Sequence, residues 1–87
     1  MDPLEESRGQ ITATDRELLA ALNRRLEIVR RLHDYKLREG LPLRDPGREA
    51  SLVAALQAAN GGPLSADAVA RFFQFVVDLT REEIHGT

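Results

Sequence analysis

The sequence predicts an all-α protein with three helices in each chain, one long and two shorter, assembled as an intertwined helical homodimer. Apolar residues recur at steps of three or four along most of the 87 residues. This spacing is the repeat of a helix face that is turned toward a packing partner. The chain has two clear breaks, Gly40 with Pro42 and the run 60–63, which divide it into three segments. No segment shows the strict alternation of a β-strand.

The first helix is expected over about residues 5–39. Its apolar stripe contains Ile11, Leu18, Leu22 and Val29 among other residues, and nothing between residues 10 and 39 breaks the pattern. Gly40 is a natural stop for a helix.

The two shorter helices are expected over about residues 46–60 and 65–84. Asp45 is placed to cap the second helix, with Pro46 at its first position, and Ser65 is placed to cap the third.

The length of the first helix predicts the dimer. About 33 residues at ~1.5 Å per residue give a helix of roughly 50 Å. A compact single domain of residues 1–87 has a diameter of only about 30 Å. The shorter helices cannot cover the whole apolar stripe, so we expect a second chain to cover the remainder.

Composition excludes several classes of protein. Hydrophobic residues make up 43% and charged residues 30% of the chain, which is ordinary for a folded globular protein. The formal charge of -2 gives no field that attracts nucleic acid. The absence of cysteine excludes disulfides and cysteine-based metal sites. The segment of residues 1–6 is acidic, unlike the start of a signal peptide, and no apolar stretch is long enough to cross a bilayer. We therefore expect a cytoplasmic protein without nucleic-acid or membrane partners.

Cations interrupt the apolar stripe of the first helix. Arg25 and Lys36 lie on it, about 20° apart in direction and ~16 Å apart along the axis, whereas Arg8 points ~100° away from Arg25. Charges turned inward need internal carboxylates or an anionic ligand. Further along the chain, Glu49 and Thr80 continue apolar stripes of the second and third helices. The converging polar groups suit a small dianion, and a reaction there would proceed by positioning and electrostatic stabilisation; they are Arg8, Arg25, Lys36, Arg48, Glu49 and Thr80.

Each of these features also has a purely structural interpretation. Arg25 or Lys36 can extend its charged end to water or join an internal ion pair. Asp45 caps a helix whatever else it does, and Thr80 can bond to its own backbone. His33 and His85 have no further ligands at metal-binding spacing, so we expect no metal site.

The chain resembles the all-helical, AroQ-type class of chorismate mutases. The resemblance runs from about residue 8 to residue 80 without a gap through the first two helices. It is carried by the ordered set Ile11-x-x-x-Asp15-x-x-Leu18-Leu19-x-x-Leu22-x-x-Arg25, then Lys36, then Pro42-x-x-Asp45-Pro46-x-Arg48-Glu49.

The resemblance implies the cofactor-free, pericyclic rearrangement of chorismate to prephenate in aromatic amino-acid biosynthesis. It also implies an entwined dimer with active sites made from both chains. Arg25 and the partner subunit's Arg8 would hold the substrate carboxylates, and Lys36 would donate to the ether oxygen. The remaining roles implied are support of a carboxylate by Arg48 and contact with the hydroxyl region by Asp45 and Glu49, with Thr80 where the family often has Ser.

One position departs from the family pattern. Four residues beyond Thr80 the family typically has Gln or Glu as a second donor to the ether oxygen, and this chain has Ile84. We expect Ile84 to continue the apolar face, which leaves Lys36 alone in that role. Some short family members are activated by a partner enzyme of the same pathway that reorders the C-terminal tail, the segment after Thr80. An activating enzyme is therefore a further expectation.

Two other functions remain open at this stage. An isochorismate-pyruvate lyase of the same fold would use a similar cationic pocket. A non-catalytic helical interaction module would instead pair its inward cations with internal carboxylates and would tolerate Lys36→Met.

Overall fold

The computed structural model describes residues 2–86 and contains three α-helices. They are α1 over Pro3–Glu39, α2 over Pro46–Ala59 and α3 over Ala66–His85. No β-strand occurs among residues 2–86. The predicted all-α class with one long and two shorter helices is therefore confirmed.

Local hydrogen bonds explain where α1 begins and ends. The Leu4 amide donates to Asp2 Oδ1 at 2.9 Å, and this cap lets the helix start slightly before the predicted position. At the other end Gly40 has a φ of 66°, a left-handed conformation that suits glycine. The amide of Leu41 then donates to the carbonyl of Lys36 at 2.9 Å, which closes the last turn.

The two shorter helices begin at the caps that the sequence predicts. Asp45 Oδ1 accepts a hydrogen bond from the Arg48 amide at 3.0 Å. Ser65 Oγ accepts one from the Ala68 amide at 3.1 Å. Each bond satisfies an amide that has no partner within its helix. The third helix runs one residue beyond its predicted end and stops at Gly86, whose φ is 63°.

The described chain divides into two compact units, one up to Leu32 and the other from His33 onward. In the second unit α2 packs against α3. Among residues 2–86 the buried side chains are Val69, Val76 and Val77, all on α3. The imidazoles of His33 and His85 meet edge to face with ring centroids 5.4 Å apart, so the end of α3 contacts the last part of α1.

The first unit consists of α1 up to Leu32. No residue of α1 is buried within one chain. Its apolar stripe is largely open, with Ile11 60% exposed and Leu18 46% exposed.

Within residues 2–86, no helix is apolar over a length sufficient to span a membrane. A single domain over residues 1–87 stays a prediction, and its two terminal residues lie outside the described range.

Candidate active site

The two arginines that were predicted to hold carboxylates both lie on α1 within the first unit. Arg25 is half-buried, whereas its neighbour Arg24 is exposed. Arg8 is exposed, and its Nη1 lies 3.5 Å from Glu5 Oε1. Both side chains of this pair are at least 65% exposed, so the pair holds Arg8 only weakly.

Lys36 lies in the last turn of α1, within the second unit. The residue is half-buried. Among the described residues, no carboxylate forms an ion pair with its ammonium group. An internal carboxylate partner, which the non-catalytic interpretation requires for this residue, is therefore not found in residues 2–86.

The first turn of α2 carries three of the predicted site residues. Asp45 caps the helix through Oδ1. Arg48 is exposed and Glu49 is half-buried, which agrees with the prediction that Glu49 faces inward. Because Pro46 starts the helix directly after the Asp45 cap, all three residues lie within the cap and first turn of α2.

Glu49 contacts a residue that the sequence analysis did not single out. Its Oε1 lies 2.7 Å from Arg81 Nη2 on α3. The two side chains are 24% and 31% exposed, so this pair is far less solvated than the Arg8 pair. Arg81 Nη1 also lies 3.3 Å from Asp78 Oδ1, one turn earlier on α3.

The third helix contains Thr80 and Ile84, one turn apart. Thr80 is half-buried, and its hydroxyl donates to the Val76 carbonyl at 2.7 Å. Ile84 is half-buried and Glu83 is exposed. Because Ile84 has no polar group, it offers no second hydrogen-bond donor on this face.

The second unit thus contains five of the seven predicted site residues, and the contact between α2 and α3 joins Glu49 to Arg81. Sequence spacing did not reveal Arg81, which is 32 residues from Glu49. A usable signal existed nevertheless. A carboxylate predicted to face inward requires a cationic partner, and Arg81 directly follows the inward Thr80.

Comparison with known families finds one profile that matches most of the chain. The profile described as chorismate mutase type II matches residues 7–84 of this chain, and this range includes every predicted site residue. Two proteins named T-protein also match. The one from Haemophilus influenzae is 37% identical over 71 residues, covering 79% of this chain and 19% of that protein. The one from Enterobacter agglomerans is 46% identical over 48 residues, covering 55% of this chain and 13% of that protein. The chain thus spans less than a fifth of the length of these relatives.

Two solved structures of a chorismate mutase from Thermus thermophilus share the fold. Form II superposes with a TM-score of 0.93 at 24% identity, covering 99% of this chain and 98% of that chain. Form I gives a TM-score of 0.88 at 26% identity, covering 91% of this chain and 99% of that chain. The similarity to Form II concerns the fold alone. Since the family profile covers nearly the whole sequence, this chain belongs to the type II chorismate mutase family.

Proposed function

We propose that this chain catalyses the pericyclic rearrangement of chorismate to prephenate in aromatic amino-acid biosynthesis. The observation that carries the proposal is the family match over residues 7–84, which includes all seven predicted site residues. The reaction breaks one C–O bond and forms one C–C bond within a single molecule. It therefore asks the protein for positioning and electrostatic stabilisation.

Lys36 supplies the main electrostatic contribution in this proposal. Negative charge grows on the ether oxygen as the C–O bond breaks, and a fixed ammonium beside that oxygen stabilises the transition state more than the ground state. The half-buried position of Lys36 and the lack of an ion pair with any described carboxylate support this role. A carboxylate already paired with the ammonium would weaken its effect on the substrate.

The remaining residues hold the substrate in its reactive folded conformation. Arg25 and Arg8 bind the two carboxylates, and Arg48 supports the carboxylate end. Asp45 and Glu49 accept from the substrate hydroxyl, and Thr80 lines the site. Fixing a flexible substrate in a near-attack geometry removes entropy that the uncatalysed reaction must lose.

We further propose that the active unit is an intertwined homodimer in which Arg8 enters the site of the partner chain. The open apolar stripe of α1 supports this assembly, because Ile11, Leu18 and Leu19 are 46% to 60% exposed in one chain. Burying such a stripe against a second copy is favourable by roughly 25 cal/mol per Å² of apolar surface. The exposed position of Arg8 leaves it available to another chain.

The test is to incubate the purified chain with chorismate and identify the product by nuclear magnetic resonance. We expect prephenate to form far faster than in the uncatalysed reaction. Isochorismate is assayed in parallel, since pyruvate release from it would identify a lyase instead. Failure to accelerate prephenate formation contradicts the proposal.

A cytoplasmic location is a separate prediction, which cell fractionation checks.

A further inference from the structure

We propose that Arg81 is a positioning residue that holds the carboxylate of Glu49 ready for the substrate hydroxyl. The inference rests on the proposed function and adds to it a residue that the family resemblance did not supply. It starts from the Arg81–Glu49 pair, in which Nη2 and Oε1 are 2.7 Å apart.

The geometry fixes one oxygen of Glu49 and leaves the other open. Arg81 Nη2 donates to Oε1, while no hydrogen bond to Oε2 occurs within residues 2–86. A carboxylate has two acceptor oxygens, so Glu49 can hold Arg81 with one and accept from a substrate hydroxyl with the other. A charge-assisted hydrogen bond also limits the rotamers of a long glutamate side chain before the substrate arrives.

Arg81 is itself held in place on α3. Its Nη1 lies 3.3 Å from Asp78 Oδ1, so one guanidinium bridges Asp78 and Glu49. The guanidinium is planar and its donors have fixed relative directions. Anchoring one donor on Asp78 therefore fixes the direction from which the other donor reaches Glu49.

The charge of Arg81 matters because the substrate is a dianion. Glu49 is only 24% exposed, and an unpaired carboxylate in such a position would repel the substrate carboxylates. The arginine offsets this charge. Glu49 thereby remains a hydrogen-bond acceptor without making the site repel its ligand.

The hydroxyl contact exists in both the ground state and the transition state, which determines the kinetic effect. Loss of an interaction that is equal in both states raises KM and leaves kcat nearly unchanged. We expect Arg81→Met to raise the KM for chorismate about tenfold, with kcat within about threefold of wild type. The KM of Arg81→Lys should lie between the values of wild type and Arg81→Met, since a lysine restores the charge but cannot bridge both carboxylates.

The experiment is a double-mutant cycle that combines Arg81→Met with Glu49→Gln. In the Glu49→Gln background there is no carboxylate to hold, so Arg81→Met should change KM by less than about twofold. The matched control is Arg71→Met, because Arg71 forms an ion pair with Asp67 at 2.9 Å on the exposed side of α3. This variant should keep the KM of wild type. Thermal unfolding of each variant establishes that the assays use folded protein.

Three results would overturn the inference. An unchanged KM with kcat reduced in proportion to the folded fraction would show that Arg81 only braces α2 against α3. An equal rise of KM in the Glu49→Gln background would show that Arg81 acts independently of Glu49. Wild-type kinetics in Arg81→Met would show no role at all. If the wild-type chain does not convert chorismate, both this inference and the proposed function fail, whereas the first three results leave the proposed function intact.

Discussion

At the scale of single residues, the cations of α1 are the feature that separates a catalytic chain from an inert one. Lys36 is half-buried without an ion pair to a described carboxylate. A stabilising role in the fold would normally supply such a group with a partner. We therefore propose that Lys36 meets a ligand that brings its own negative charge.

The first prediction concerns Lys36→Ala and Arg25→Ala. Each should lower kcat/KM about a hundredfold or more. Lys36 is a preorganised donor to developing charge, which is commonly worth ~10²–10³ in rate, and loss of Arg25 leaves a substrate carboxylate without its charge-assisted partner. The folded structure of Lys36→Ala should persist, since removing a half-buried cation that has no ion pair with a described carboxylate relieves its desolvation. Steady-state kinetics and circular dichroism measure the two effects.

Arg24→Ala is the matched control for this prediction. Arg24 precedes Arg25 on the same helix but is exposed, so its loss should leave kcat/KM within about twofold of wild type. Activity within tenfold of wild type in both Lys36→Ala and Arg25→Ala would remove the proposed roles.

The second prediction concerns the end of α3. Ile84 is half-buried and offers no hydrogen bond, whereas Glu83 is exposed. Ile84→Gln should raise kcat/KM by providing a second donor to the ether oxygen, by about tenfold if the new bond resembles an ordinary one. Glu83→Ala should have little effect on the free enzyme.

The opposite pattern would show that the tail works differently. A large loss in Glu83→Ala, with no gain in Ile84→Gln, would mean that α3 rewinds so that Glu83 reaches the substrate. An activating enzyme of the same pathway that reorders this tail stays a prediction, and a rise in kcat/KM on adding such an enzyme would support it.

At the scale of elements, the helices were largely predictable because their ends depend on local chemistry. Asp45 and Ser65 both cap the helices that follow them, as their side chains and positions predicted. Contacts between helices were harder to predict from the sequence. Glu49 was expected to face inward, but nothing local to it identified Arg81 as its partner, since that pairing depends on how α2 and α3 pack.

The third prediction concerns the Ser65 cap. Ser65→Ala removes the acceptor for the Ala68 amide, a bond of 3.1 Å, and should lower the free energy of unfolding by about 1 kcal/mol. Ser65→Asp keeps an acceptor and should retain most of the stability. Because Ser65 is not among the proposed site residues, kcat/KM measured well below the melting temperature should stay unchanged. Equal stability of Ser65→Ala and wild type in urea titration would contradict the assignment of the cap.

At the scale of the whole molecule, the length of α1 and its open apolar stripe predict assembly. The sequence indicated that the two shorter helices cannot cover so long a helix, and no residue of α1 is buried in one chain. Which chain covers the stripe, and which residues cross between chains, depends on the packing of two copies rather than on local patterns. The proposed entry of Arg8 into the site of the partner chain is the clearest example of a role that local patterns do not reveal.

The fourth prediction is a stable dimer at micromolar concentration. Light scattering should give twice the mass of the 87-residue chain. Leu18→Glu places a charge on the apolar stripe and should dissociate or unfold the protein, because burying an unpaired carboxylate costs several kcal/mol. Arg16→Glu introduces the same residue two positions earlier, about 160° away from Leu18 around the helix, and it should remain dimeric. A folded wild-type monomer at this concentration would exclude the assembly.

The most direct test of the account asks whether one site draws residues from two chains. Arg8→Ala and Lys36→Ala chains are prepared separately, mixed in equal amounts, unfolded together and refolded, with different tags to verify heterodimers. In a heterodimer one site receives its Lys36 from the first chain and its Arg8 from the second, and is intact. Random pairing in a two-fold dimer therefore predicts recovery of about a quarter of wild-type activity from two nearly inactive parents. A mixture that contains the heterodimer but stays as inactive as its parents would contradict the shared site.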